Sequence, residues 1–265
     1  MHVLRLECRA EEKDRLIAEL WERGTAGISE EDAPGGRSRL AAFFDRPVDV
    51  ANLAAWQPHW EIVEDRDWVQ VAQSQWSPVL VGERFYLVPA WSREPAPPGR
   101  LRLVMNPGQA CGTGWHPATQ LCLEAMERHV FPGAAVLDLG TGSGILAVAA
   151  ALLGAGPIYA CDIDPDATLA ARDRLRQEGV EANLFVGSAR SVRSASVDVV
   201  VANISAETLL DLAPEIARIR KPAGRAILSG FPRRQLDRVQ AAYSAHSEVI
   251  EKEGWIALVC RLSIT

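Results

Sequence analysis

The spacing of apolar residues divides the chain into two parts of different rhythm. From Val3 to about Glu64 the elements are short and change type. Val3, Leu4, Leu6 and Cys8 mark a strand, and Leu16, Ile17, Leu20 and Trp21 share one helical face that Gly24 ends. Residues 26–29 and 40–44 read as strands around the turn-rich Pro34-Gly-Gly36. Residues 48–56 read as a second helix and 60–63 as a last strand. Strand-helix-strand-strand-helix-strand predicts a small ferredoxin-like α+β domain.

Residues 65–76 place Trp68, Val69, Ala72 and Trp76 at helical spacing, a linker helix. Strands are expected at 84–88 and 101–104, on either side of the loop-forming Glu94-Pro-Ala-Pro-Pro-Gly99. From 135 a regular alternation begins. Strands at 135–139, 158–161, 182–186, 197–202 and 225–228 are separated by helices starting near Gly144, Pro165, Ser205 and Arg233. Such repeats specify a parallel sheet covered on both faces. Residues 248–252 and 255–262, joined by Glu253-Gly254, predict a closing antiparallel hairpin. The expected fold class is α/β: a Rossmann-like domain with a mostly parallel seven-stranded sheet and a closing antiparallel hairpin, plus the small ferredoxin-like α+β domain. The expected boundaries are 1–64, a linker helix at 65–76, and 77–265.

Composition narrows the class. The chain has 265 residues, 48% hydrophobic, enough for a sizeable core beside a small module. Asp and Glu number 34 against 28 Lys and Arg, which argues against a broad nucleic-acid surface and leaves a basic protein partner open. Five cysteines, at 8, 111, 122, 161 and 260, form no CxxC pair, so reduced thiols and a cytoplasmic setting are expected. The charged, alternating start is neither a signal peptide nor an anchor. The longest apolar run, residues 145–155, is too short to span a bilayer, so no membrane role is expected. No metal site is expected.

The chemistry concentrates after the first strand of the regular part, in Asp138-Leu-Gly140-Thr-Gly142-Ser-Gly144. Alternate glycines let a ligand approach the main chain, and the helix that follows offers free amide donors. Ile145 stands where a dinucleotide fingerprint needs its third glycine, and no GKS or GKT follows. What remains suits a ligand with an amino-acid end and no phosphate. Asp162, at the end of the second strand, can accept hydrogen bonds from both ribose hydroxyls, whereas Asp164, before Pro165, reads as a helix cap. Asn203 follows four apolar strand residues and reaches the same crevice; the alternative is that Asn203 or Ser205 caps the next helix. The stretch from Asn106 to Thr119 is dense in Gly, Pro and hydroxyl residues, a composition that often builds sites, and it contains His116 as a candidate. Its helix places Leu121, Cys122, Ala125 and Met126 on one face.

Together, Asn106-Pro-Gly-Gln-Ala-Cys-Gly-Thr-Gly-Trp-His-Pro-Ala-Thr119, Asp138-Leu-Gly-Thr-Gly-Ser-Gly-Ile-Leu146, Asp162-Ile-Asp-Pro165 and Ala202-Asn-Ile204 resemble the bacterial PrmA family. Those enzymes methylate the eleventh protein of the large ribosomal subunit with S-adenosylmethionine. The resemblance is strong over residues 100–262. It implies cofactor contacts at Thr119, Gly140, Asp162 and Asn203, with Gly142 of the same loop beside them. Thr119 is the addition, its hydroxyl toward the amino-acid end of the cofactor. It further implies methyl transfer to lysine side chains and an N-terminal amine, with Asn203 accepting a hydrogen bond from the amine. The N-terminal domain would capture the ribosomal protein, free rather than ribosome-bound, and the linker would let it reorient; a monomer is expected. Cys111, Trp115 and Ala118 depart from the family pattern. The first two keep open a methyltransferase of the same build acting on another protein or a small molecule.

Overall fold

Residues 2–9, 12–25, 27–33, 35–62, 77–105, 115–243 and 247–261 are described by the structure, a computed structural model. The expected linker helix at 65–76 and the loop 106–114, with Cys111, lie outside the described residues. The chain divides into two units, Met1–Trp76 and Ser77–Thr265.

In the first unit β1 (His2–Arg9), α1 (Lys13–Glu22), β2 (Gly27–Ala33), β3 (Arg37–Phe44), a 3-10 turn (Ala51–Trp56) and β4 (His59–Ile62) follow one another. The sheet is antiparallel throughout and ordered β2-β3-β1-β4, the ferredoxin-like order. Leu4, Leu6, Leu40 and Phe44 on one sheet face bury against Leu16 and Leu20 of α1 and Leu53 of the turn. Each such side chain contributes about 1.5–3 kcal/mol. Two expectations need correction. The second helix is only the six-residue 3-10 turn, because Asp49 Oδ1 accepts from Ala51 N at 3.0 Å and left-handed Gln57 precedes Pro58. Trp21 is 53% exposed, since the inward face of α1 is centred on Leu16 and Leu20 and leaves Trp21 at its edge.

The second unit opens with β5 (Val79–Val81), β6 (Phe85–Pro89) and β7 (Leu101–Met105), a three-stranded sheet. Its turn is held by the next helix, α2 (Pro117–His129): the Glu127 carboxylate accepts from Glu83 N and Arg84 N, both at 2.8 Å. Then come β8 (Val136–Leu139), α3 (Ile145–Leu152), β9 (Ile158–Asp162), α4 (Pro165–Gln177), β10 (Asn183–Val186), β11 (Val197–Asn203) and α5 (Ala206–Ile219). β12 (Arg220–Pro232), α6 (Leu236–Tyr243), β13 (Ser247–Lys252) and β14 (Trp255–Arg261) complete the unit. The seven-stranded sheet is ordered β10-β9-β8-β11-β12-β14-β13, parallel up to β12 and antiparallel in the closing hairpin.

Its strands are apolar on both faces because both are covered. Val199 and Val201 pack toward α2 and α3, while Val200 and Ala202 pack toward α5 and α6. Asp164 caps α4, accepting from Asp166 N at 2.9 Å with Pro165 in the first turn, and Ser205 caps α5, accepting from Thr208 N at 3.3 Å. Each cap stabilises its helix by about 1 kcal/mol. Among the described residues no helix is long and apolar enough to cross a membrane.

Candidate active site

The chain leaves β8 toward β9 on one side and returns as β11 on the other, so a crevice opens at the carboxyl ends of β8 and β11. A cavity of about 650 Å³ occupies it, within the range of small-molecule sites. Leu139 is in register with Ala202, so Gly140 and Asn203 emerge side by side.

The half over β8, β9 and β10 is built from backbone and one carboxylate. Gly140 N and Thr141 N both donate to Cys161 O at 2.9 Å, which ties the loop to β9. Gly140 has φ of 73°, and a Cβ there would stand 2.3 Å from Ile204 Cγ2. Asp162 Oδ2 accepts from Gly142 N at 3.0 Å and Oδ1 from Asp164 N at 3.1 Å. A carboxylate offers about four lone-pair directions, so both oxygens keep capacity for a diol. Ile163, 77% exposed, and Ser188 extend this half outward.

Beneath the loop, Asp138 is fully buried. Its Oδ2 accepts from Thr141 Oγ1 at 2.7 Å and from Ala147 N of α3 at 3.0 Å, while Oδ1 has no partner. Gly144 carries no side chain to cap α3, so Asp138 does so from below. Burial pushes its carboxyl up to about 7, opposed by the Thr141 and Ala147 hydrogen bonds and assisted by the charge of Asp162. Burial likewise pushes the Cys161 thiol up to about 12, so it is inert at neutral pH.

The half over β11, β12 and β14 carries side chains. Asn203 Nδ2 donates to Thr119 Oγ1 of α2 at 3.0 Å. His116 caps α2, its Nδ1 accepting from Ala118 N at 3.2 Å. Its ring meets that of Trp255 nearly at right angles, with centroids 4.4 Å apart. At Gly230, φ is 94° and a Cβ would lie 2.4 Å from Ile204 O, so β12 bends directly against the segment after β11.

All five residues singled out in the sequence, Thr119, Gly140, Gly142, Asp162 and Asn203, line this one cavity. Asn203 does not cap α5; Ser205 does. Trp115, in the loop just before α2, is half-buried and packs against the apolar core. Sequence reasoning missed Gly230 and Trp255, and it named Asp138 in the loop without foreseeing its buried place beneath it. The signal for Trp255 was an aromatic ring directly after the hairpin turn, where a plain strand residue would satisfy the pattern.

A sequence profile of the ribosomal protein L11 methyltransferase (PrmA) family matches residues 39–263. The chain belongs to that family. It is 39% identical over 249 residues to a ribosomal protein L11 methyltransferase of Cupriavidus necator, covering 89% of this chain and 82% of that one. A relative of the same description from Burkholderia ambifaria is 36% identical over 288 aligned positions, covering 96% and 95%. Among solved structures, the ribosomal protein L11 methylase of Lactobacillus delbrueckii subsp. bulgaricus superposes with a TM-score of 0.63 at 29% identity. That match covers 70% of this chain and 98% of the other. The family's cofactor is S-adenosylmethionine, and the cavity fits it: close backbone at Gly140 and Gly142 for an amino-acid end, the Asp162 carboxylate for a diol, apolar Ile163 for a flat base.

Proposed function

We propose that this protein transfers methyl groups from S-adenosylmethionine to amines of ribosomal protein L11, lysine side chains and the N-terminal amine among them. The observation that carries the site assignment is the Asn203–Thr119 hydrogen bond. It uses the amide nitrogen of Asn203 and leaves Oδ1 to accept a hydrogen bond from an incoming amine.

Bound S-adenosylmethionine supplies an activated methyl group. The chain's own residues do the remaining work. Gly140 and Gly142 admit the amino-acid end, Asp162 takes the ribose and Thr119 sets the rotamer of Asn203. Asn203 Oδ1 then orients the amine nitrogen without fixing a positive charge on it, and positioning of this kind is worth orders of magnitude in rate. A free lysine has a pKa near 10.4, so the apolar wall of Ile204 and Leu212 favours the neutral amine that must react.

In this reading residues 1–64 capture the protein substrate, residues 65–76 link the two units, and a monomer acts in the cytoplasm on L11 free of the ribosome. Incubation of the protein with purified L11 and labelled cofactor, followed by mass spectrometry of L11, tests it. Methyl-sized mass increments on L11 lysines are expected, and they should fall sharply in Asn203→Ala. Unmodified L11, with label appearing in other proteins of an extract, would overturn the substrate assignment.

A further inference from the structure

The cavity has two chemically different halves, and the proposed function assigns work to only part of the second. The first half, over β8–β10, holds Asp162, the only carboxylate among the described lining residues. The second half, over β11, β12 and β14, offers Asn203, His116 and Trp255 and no acidic side chain among the described residues. Methyl transfer to a neutral amine breaks a sulfur–carbon bond and forms a nitrogen–carbon bond. One positive charge passes from sulfur to nitrogen, and the proton leaves the nitrogen afterwards. A site for this reaction therefore needs something that favours a cation at the nitrogen without occupying the lone pair that attacks.

We propose that Trp255 is that group: its indole forms the wall of the acceptor subsite and receives the alkylammonium as it forms. The proposal rests on the amine-transfer reading above and adds a residue to it. Three observations carry it. Trp255 lines the same cavity as Asn203 and Thr119, and it begins β14, three strands beyond β8 in the sheet, whereas Asp162 ends β9 on the other side of β8. Its position is fixed, since its backbone pairs with Lys252 on one side and Pro232 on the other, at the base of the hairpin turn. Its ring is buttressed by His116 at 4.4 Å between centroids, and His116 is itself held by the Ala118 N–H on Nδ1. That hydrogen bond also defines the role of His116. With Nδ1 used as an acceptor, the neutral ring carries its proton on Nε2 and has no free lone pair. His116 is therefore a positioning residue for the indole, not a base for the amine.

An aromatic face attracts ammonium and alkylammonium groups through the ring quadrupole, more strongly when water is excluded, and makes no demand on N–H groups. A wall of this type accepts an amine that already carries a methyl group as readily as a bare one. A carboxylate at the same place would hold the unreacted ammonium in its charged form far more strongly than a neutral ring does.

The test uses the full chain and three measurements. Trp255→Leu keeps apolar bulk and removes the π face, whereas Trp255→Phe keeps a π face. Methylation of L11 should fall about 30-fold in kcat for Trp255→Leu and at most about threefold for Trp255→Phe. Binding of S-adenosylmethionine by calorimetry should stay within about twofold in both. Calorimetric titration with tetramethylammonium, a cation without N–H groups, should show binding to the wild-type protein that Trp255→Leu loses and Trp255→Phe retains. Equal rates and equal tetramethylammonium binding in the two variants would overturn the proposal. Should Trp255→Leu fail to fold, the wild-type titration decides: displacement of tetramethylammonium by L11 supports the wall, and no binding, or displacement by the cofactor's ribose and adenine portion alone, overturns it. Absence of L11 methylation by the wild-type protein would instead strike the amine-transfer reading, independently of the titration.

Discussion

Asn203 at the end of β11 and Thr119 in the first turn of α2 are joined through Asn203 Nδ2 and Thr119 Oγ1 at 3.0 Å. Thr119 is 1% exposed, so its hydroxyl is a fixed acceptor and the amide orientation follows from it. Residues joined in this way act as a unit, and their substitutions should not add. Asn203→Ala should lower kcat on L11 by about 100-fold or more, and Thr119→Val by about 10-fold. The double variant should be no slower than Asn203→Ala; steady-state kinetics on all four proteins checks this, and full additivity would mean that Thr119 acts elsewhere.

Asp162 ties the glycine loop to its own strand end while facing the cavity. Asp162→Ala removes a ribose acceptor and the partner of Gly142 N together. Cofactor affinity should weaken by about 30-fold or more by calorimetry, with a smaller change in melting temperature because Gly142 N lies at a solvent-reached cavity. Unchanged affinity would assign the ribose to another residue.

Asp138 makes stability depend on pH. Its folded value lies near 7, above the ordinary 3.8, so the native state holds a proton that the unfolded chain has released. Stability from this group is full below about pH 4, declines as pH rises toward about 7, and is gone above it. At about 1.4 kcal/mol per pH unit, the total is on the order of a few kcal/mol. Urea melts across that window should show wild type losing ground to Asp138→Asn as pH rises. A constant difference would mean that Asp138 titrates normally despite its burial.

Gly140→Ala should be severe for two reasons that act together. Its φ of 73° disfavours any side chain, and the new methyl would meet Ile204 Cγ2 at 2.3 Å. A loss of about 2–4 kcal/mol in chemical denaturation, with cofactor binding weakened in parallel, is expected. A folded variant with native affinity would show that the loop can shift away from Ile204.

The first unit has its own core around Leu4, Leu16 and Leu40, and the sheet of the second unit has separate ones. Removing residues 1–64 should therefore leave cofactor affinity within about threefold. KM for L11 should rise about 100-fold if this unit captures the substrate, and steady-state kinetics would expose an unchanged KM.

The parallel sheet could be read from the chain because strands buried on both faces must be apolar without interruption, as in Val199 to Ala202, and because Asp162 and Asn203 end such runs abruptly. The closing hairpin was legible through Glu253-Gly254. β5 was not, since three residues after Pro78 carry no period. The second helix of the first unit was overread because Leu53 and Trp56 satisfy a helical spacing that a 3-10 turn also satisfies. In the site, residues set by local backbone were visible: a glycine loop, a carboxylate at a strand end, a cap at Asp164. Trp255 and the unpartnered Oδ1 of Asp138 were not, because each depends on what the fold brings beside it, His116 in one case and an apolar enclosure in the other.

Ile204 sits between two glycines that admit no side chain, its Cγ2 against Gly140 of the cofactor loop and its backbone against Gly230 of β12. It works as a pivot pin between two jaws. The loop cannot advance without pressing on the residue next to Asn203, and β12 cannot retreat without opening a void behind it. Donor and acceptor are thus brought to a common reference when the sheet folds, before either arrives. Substitutions that enlarge or shrink the Ile204 side chain should act first on the Gly140 loop, and reach the acceptor side only through the backbone that Ile204 shares with Asn203.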